Sequence, residues 1–290
     1  MRQAWRFLST GSRDAASNMA IDEALLLNHE AGSTPPILRV YAWDTPTLSL
    51  GYAQNTAQEV NLTGCRQHGV DIIRRPTGGR AVLHDQEVTY SLILPTTLSQ
   101  GVQGADTLTE HYRRIGLALT AALQQLGLPV HFERAHRRPP ASRLPASPAC
   151  FSALARYEIS VAGKKIVGSA QKRLHNSLLQ HGSIPLELNR VRLFQCLQTA
   201  PEYRSALIQE AYTTMTSINE IAPAPIPVAI IHRALQAGLA ASFDIEFIQD
   251  TLQPAELQLA TELRTTKYAT YSWNYTGAAA WRRSLTNAFE

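Results

Sequence analysis

The chain has 290 residues, 44% of them hydrophobic and 17% charged, with a formal net charge of +4. This composition suits one large domain or two modest ones around a substantial core, and it excludes a chain disordered throughout. No apolar run approaches the ~18 residues that cross a bilayer, and Met1–Leu8 lacks the apolar stretch of a signal peptide, so a reducing cytoplasm is the expected compartment.

In chain order, Asp14 is a helix cap, and Ala16, Met19, Ala20, Ala24 and Leu27 behind it share one helical face. Ile37–Trp43 and Leu48–Tyr52 read as strands joined by the turn Asp44-Thr45-Pro46. Asp71–Arg75 is a third strand, running into Pro76-Thr77-Gly78-Gly79 and then Ala81–His84, and Val88–Leu94 is a further strand. Thr107-Leu108-Thr109-Glu110 is a capping box for a helix that buries Ile115, Leu119, Leu123 and Leu126 and stops at Gly127. Pro129–Pro148 is too proline-rich for a helix and reads as a loop carrying Arg134, Arg137, Arg138 and Arg143. Tyr157–Val161 and Lys165–Ala170 form a hairpin about Ala162-Gly163-Lys164, and Leu178–Ile184 is another strand. Helical patterns cover Val191–Leu197, Glu202–Thr213, Pro227–Leu239 and Pro254–Thr265. The proline-rich segment 222–227 reads as a rigid joint. Strands cluster in the first two thirds without βαβ alternation. The expected fold class is therefore α+β, a mixed sheet flanked by helices rather than a doubly wound parallel sheet.

Four segments could carry chemistry. In Arg74–Asp85 a strand delivers two arginines to the turn at Thr77, Gly78 and Gly79, where a ligand can approach the backbone and N–H groups can face an anion. It matches neither a dinucleotide fingerprint nor a phosphate loop, and alone it equally describes a basic β-turn. His84 reads first as a structural histidine and second as a base, and Asp85 as a turn or orienting residue. In Gly163–Arg173, alternation places Lys165, Val167 and Ser169 on one face and Ile166, Gly168 and Ala170 on the other. A lysine turned inward there would bind a carbonyl or phosphate oxygen or lower a thiol's pKa, and a solvated basic hairpin is the plain alternative. Cys150 ends the proline-rich loop, where catalytic groups are common, but a lone cysteine is also often an inert buried thiol. Cys65 and Cys196 fit the inert description. In Leu179–Ile184, His181 and Gly182 on a strand face either a cleft or the core. Three scattered cysteines suggest neither a disulfide framework nor a zinc site, and no metal or other cofactor is expected.

Taken together and in this order, the four segments resemble the lipoate/biotin protein ligase superfamily, and more narrowly its octanoyltransferases of the Bacillus type. The helix Asn18–Ala24 and the tail at Lys267-Tyr268 and Trp273-Asn274 are similar to that group as well. The resemblance implies a catalytic domain over residues 1–248, with its core at about 33–248, and a helical extension over 249–290. It implies an octanoyl transfer from octanoyl–acyl carrier protein, through a thioester on Cys150, to a lysine of a lipoyl domain such as the glycine cleavage H protein. In that role Lys165 lowers the Cys150 pKa, while Arg74, Arg75, Thr77, Gly78, Gly79, His84, Gly168, His181 and Gly182 bind substrate. A thiolate suits a thioester donor because it is both nucleophile and leaving group, and no ATP is needed. Such carrier and lipoyl domains are acidic, and the arginine-bearing loop before Cys150 would steer them. The basic clusters are short and lack interleaved aromatics, so neither nucleic acid nor membrane is an expected partner. Three other activities share parts of this pattern: an ATP-dependent lipoate ligase, an amidotransferase moving octanoyl between lipoyl domains, and a non-catalytic lipoyl-domain binder.

Overall fold

The computed structural model describes residues 2–99, 107–134, 149, 157–279 and 281. The chain begins with strand β1 (Gln3–Arg13), helix α1 (Ala15–Glu30) and strands β2 (Ile37–Trp43) and β3 (Thr47–Leu50). Two short helices, α2 (Thr56–Glu59) and α3 (Leu62–Gln67), lead to β4 (Asp71–Arg74), β5 (Val82–His84) and β6 (Glu87–Pro95). Helix α4 (Thr107–Gln124) and strand β7 (His131–Arg134) come before β8 (Tyr157–Val161), β9 (Lys164–Arg173) and β10 (Ser177–Pro185). After these come α5 (Arg190–Cys196), α6 (Pro201–Thr214), α7 (Ile218–Ile221), α8 (Val228–Phe243), β11 (Ile245–Gln249) and α9 (Pro254–Leu263). Two π-helical turns follow, Arg264–Tyr268 and Ser272–Thr276.

Eight strands form one mixed sheet in the order β11-β1-β2-β6-β10-β9-β8-β7, and three form a small one in the order β4-β3-β5. Side-chain alternation in the central strands decides what each face of the large sheet carries. Leu38, Val40, Val88, Tyr90, Leu92, Leu178 and Ile184 pack with Ile115, Leu119 and Leu123 of α4 and Ile231, Leu235 and Leu239 of α8 in the main core. The opposite face meets α1: Ile37, Ile93 and Leu179 pack with Ile21, Leu25 and Leu26. Between these apolar residues the same face carries Arg39 and Tyr41 from β2, Thr89 and Ser91 from β6, and His181 and Ser183 from β10. The register aligns them, with His181 opposite Ser91 and Ser183 opposite Thr89, and Arg39 opposite Ser91 and Tyr41 opposite Thr89. A polar stripe thus crosses three strands under a helix.

The mixed sheet flanked by helices is the expected fold class, but several local expectations change. Strand β1 was not anticipated, nor was β11, which pairs with it in parallel. Residues 131–134, expected in a loop, pair with β8 as the sheet's edge. The helix after Asp14 is buried on more than one side: Asn18, Asp22, Glu23 and Leu25 are buried as well as Met19, Ala20 and Ala24, whereas Ala16 and Leu27 are only half-buried. The reason is that α1 is covered twice, by the large sheet and by α9, whose Ala260 joins its apolar cluster. The proline-rich joint at 222–227 does not set a tail apart, because α8 beyond it packs into the main core.

The hairpin at Ala162-Gly163 is a two-residue connection with positive φ at both positions (49° and 76°), the conformation that matches the twist of paired strands. Just beyond it, Ser160 pairs with Lys165 but Ile159 pairs with Val167, so Ile166 is an extra residue in β9. This bulge breaks the expected alternation, and Ile166 and Val167 both enter the main core.

Candidate active site

Asp22 lies at the centre of the polar stripe, fully buried. Its Oδ1 accepts from Arg39 Nη1 at 2.6 Å and Ser91 Oγ at 2.8 Å, and its Oδ2 from Tyr41 at 3.0 Å and His181 Nδ1 at 3.0 Å. Burial alone would raise its pKa, but the Arg39 guanidinium and then His181 outweigh it and hold the carboxyl below the usual range. Burial pushes the His181 ring down, only partly offset by Asp22, so the imidazole is neutral near pH 7. With Nδ1–H directed to Asp22, His181 Nε2 accepts from Thr77 Oγ1 at 2.7 Å.

A second array has the same form. His84 Nδ1 donates to Glu87 Oε1 at 2.7 Å, and His84 Nε2 accepts from Ser49 Oγ at 2.7 Å. Glu87 also accepts from Thr89 and Ser183, and Trp43 stacks on the His84 ring at 4.3 Å. Burial works to raise Glu87, but His84 and the hydroxyl donors hold it below the usual range.

Both arrays end on Arg75. Its Nε donates to Thr77 Oγ1 at 3.1 Å and its Nη1 to Ser49 Oγ and the Ser49 carbonyl, each at 3.2 Å. Nη2 donates to the carbonyls of Gly78 and Arg80, each at 2.8 Å. All five guanidinium donors therefore hold the glycine turn against the two histidine arrays. Arg74 faces elsewhere. It donates to the carbonyls of Gly51, Tyr52, Gln54 and Trp273 and to Thr56 Oγ1, linking the turn to the C-terminal segment. Gly79, at φ 95°, lets its carbonyl pass Gly51 so closely that a Cβ on Gly51 would stand 2.0 Å from it.

A cavity opens between the two sheets. Tyr41, Trp43, Ser49, Arg75, Val82, His84, Gly168, Ser169, His181 and Gly182 are among the residues that line it. Gly182 forms part of the wall where the Tyr90 ring crosses behind it, 2.6 Å from where a Cβ would lie. Among the described residues, no group of three or more His, Cys, Asp or Glu side chains could hold a metal ion.

The model of the lipoyl protein ligase A/B catalytic domain matches residues 14–240. The chain belongs to that family. It is 41% identical to the octanoyltransferase LipM of Kyrpidia tusciae over 276 residues, 94% of this chain and 99% of that one. It is 36% identical to the octanoyltransferase LipM of Bacillus subtilis over 277 residues, again 94% and 99%. Among solved structures it resembles the bipartite lipoate protein ligase of Thermoplasma acidophilum (TM-score 0.76, 25% identity, 94% of this chain and 96% of that one). It also resembles a lipoate-protein ligase A bound with ATP (TM-score 0.74, 25% identity, 94% and 98%).

Within this lipoyl protein ligase fold, Arg75, His84, Gly168, His181 and Gly182 line one cavity, and Thr77, Gly78 and Gly79 form the turn bound to it. Arg74 is not among the lining residues. Asp85 pairs with Arg192 at 2.9 Å. Lys165 is buried and forms an ion pair with Glu158 at 3.1 Å, while Lys164 at the turn is half-buried. Cys65 and Cys196 are buried in an apolar cluster. Cys150 and the arginines at 137, 138 and 143 lie outside the described residues. Asp22, Glu87, Ser49 and Ser169 were not singled out from sequence as site residues. Two signals were there: Glu87 stands three residues after His84, and Asn18 and Asp22 are one helical turn apart.

Proposed function

We propose that this protein takes an octanoyl group from octanoyl–acyl carrier protein as a thioester on Cys150 and passes it to a lysine of a lipoyl domain. Near-full-length kinship with octanoyltransferases makes the chain an octanoyltransferase of protein lipoylation. The observation that carries the Cys150 assignment is the position of its chain neighbour. Ala149 is fully buried and pairs with Ala81, and the next residue, Val82, lines the cavity.

Lys165 fits the role of a cation for that thiolate. Its backbone pairs with Met215, which packs in one cluster with Ala149, Ala81 and Val82. A buried cation beside a thiol favours the thiolate. The attack forms a C–S bond as the carrier's thiolate leaves. The acceptor lysine's amine then forms the C–N bond, and its proton goes to the departing Cys150 sulfur. Among the described residues no helix is long and apolar enough to cross a membrane, and this reading places the enzyme in the cytoplasm. Residues 1–248 form the catalytic unit in this reading, with 249–290 an extension that braces it through Trp273 and Asn274.

The test is incubation with octanoyl–acyl carrier protein alone, followed by intact mass and by transfer to the H protein. An octanoyl adduct that is absent from Cys150→Ala is the expected result. Transfer that requires ATP and free octanoate, with Cys150→Ala active, would overturn it in favour of a ligase.

A further inference from the structure

The bulge at Ile166 decides which side of the large sheet Lys165 faces. Ile159 and Val167 stand opposite each other and both pack in the main core. In an unbroken strand Lys165, two residues before Val167, would enter that core as well. The extra residue re-aims it. Lys165 stands opposite Ser160, the neighbour of Ile159, so both point to the other face. Further along β9 the same face is marked by Gly168 opposite Ser183 and Ala170 opposite His181, and these four residues line the cavity. Lys165, Gly168 and Ala170 thus share one face of one strand.

Burial disfavours the charged form of a lysine, and a nearby carboxylate favours it. Lys165 is buried. Glu158, two residues before Ser160 on β8, points the same way and accepts from Lys165 Nζ at 3.1 Å. Its side chain is itself only 13% exposed, so water screens the pair little. Ser160 does not hold the ammonium, because its buried hydroxyl has no hydrogen-bond partner among the described residues. Other ionisable groups stand around the pair. His131 and Glu133 of β7 share the face through their pairing with Ser160 and Glu158. Lys164 lies at the turn, and α6, which packs against β9, carries Glu210. Arg190 is engaged by Glu220 at 2.6 Å and by the Met215 carbonyl at 2.8 Å.

We propose that Glu158 is a positioning residue for octanoyl transfer: its carboxylate fixes the Lys165 ammonium on the cavity face of β9, a role that rests on the octanoyltransferase reading above. Glu158 acts through Lys165 and not on the acyl group, so its contribution exists only while Lys165 is present. Lys165 keeps its proton in both transfer steps. The ammonium stabilises the thiolate that attacks in the first step and leaves in the second.

The test is a double-mutant cycle of Glu158→Gln and Lys165→Ala. It reads the rate of acyl-enzyme formation from octanoyl–acyl carrier protein across pH, by intact mass, with Glu158→Asp as the conservative variant. Glu158→Gln is expected to slow the step roughly tenfold at neutral pH with little change in KM. It also moves the alkaline fall of the rate to lower pH, because a buried lysine without its carboxylate gives up its proton sooner. Glu158→Asp recovers most of both. In a Lys165→Ala background Glu158→Gln brings no further loss. If Glu158→Gln does not fold by circular dichroism, Glu158→Asp takes its place in the cycle and must lose rate only where Lys165 is present. A wild-type protein that forms no octanoyl adduct defeats the function itself. With an active wild type, an unchanged rate, an alkaline limb that stays in place, or equal losses with and without Lys165 each defeats the Glu158 role alone.

Discussion

Arg74 and Trp273 bind each other reciprocally across 199 positions of chain: Arg74 Nε donates to the Trp273 carbonyl at 2.9 Å, and Trp273 Nε1 donates to the Arg74 carbonyl at 2.8 Å. Asn274 adds a third link, its Oδ1 accepting from the Arg74 amide at 2.8 Å. The glycine turn is thus held from one side by the C-terminal segment and from the other by Arg75. Trp273→Ala is expected to cost ~3–5 kcal/mol, and thermal melts with activity assays will show transfer falling with Tm.

Arg75→Lys retains the charge but offers three donors where five are in use. Both histidine arrays lose an anchor together. Activity should fall at least tenfold even at temperatures where circular dichroism shows a folded protein, and full activity in this variant would contradict the anchoring role.

The three cysteines should separate cleanly. Cys150→Ala abolishes transfer, whereas Cys65→Ala and Cys196→Ala stay active. The neighbouring Cys196 sulfur, and then burial, push the Cys65 thiol up, away from reactivity. Iodoacetamide rate–pH profiles on protein with both buried cysteines replaced then isolate Cys150, and Lys165→Ala should raise its midpoint.

Because the interior of the cavity has its donors engaged, it suits a saturated chain. A β-ketoacyl–carrier thioester buries an acceptor without a partner, at a cost of about 1–3 kcal/mol. Competition between the two thioesters should favour octanoyl by roughly 10- to 100-fold, and equal use would show that the wall can supply a donor.

Acid should unfold the protein through the stripe. Asp22 and Glu87 have folded pKa values below their unfolded ones of ~3.9 and ~4.3. Their stabilisation is complete above those unfolded values and is lost as pH falls through the folded ones. His181 is also depressed. Below about pH 6.5 the unfolded chain takes up a proton that the buried ring refuses, so stability declines there first. Asp22→Asn leaves Arg39 buried without its carboxylate, at ~3–5 kcal/mol, and its melting curve should show a shallower acid slope.

The central strands β2 and β6 were legible from their apolar and β-branched runs, and the hairpin because Ala162-Gly163 is turn chemistry. Strand β11 was not legible, since Ile245–Gln249 is five residues whose partner is β1 at the far end of the chain. The bulge at Ile166 was hidden because every residue from Lys165 to Gly168 is compatible with a regular strand. Asp22 looked like the polar face of an amphipathic helix. It is buried because it faces the sheet's polar stripe, where Arg39, Tyr41, Ser91 and His181 bind it, and no pattern within the helix records polar partners that lie on three distant strands. Arg75 was found, but its role was not: a sequence shows a cation at a turn, not the five acceptors that already hold it.

The pairing of β1 with β11 also constrains how the molecule is made. A ribosome delivers β1 first and β11 more than two hundred residues later, so one edge of β1 waits, unpaired, through most of synthesis. The same delay applies to Arg6, whose partners Asp250 and Glu256 arrive later still. Nascent chains stalled before residue 245 should therefore engage chaperones through their N-terminal segment and release them only when β11 and Glu256 have emerged.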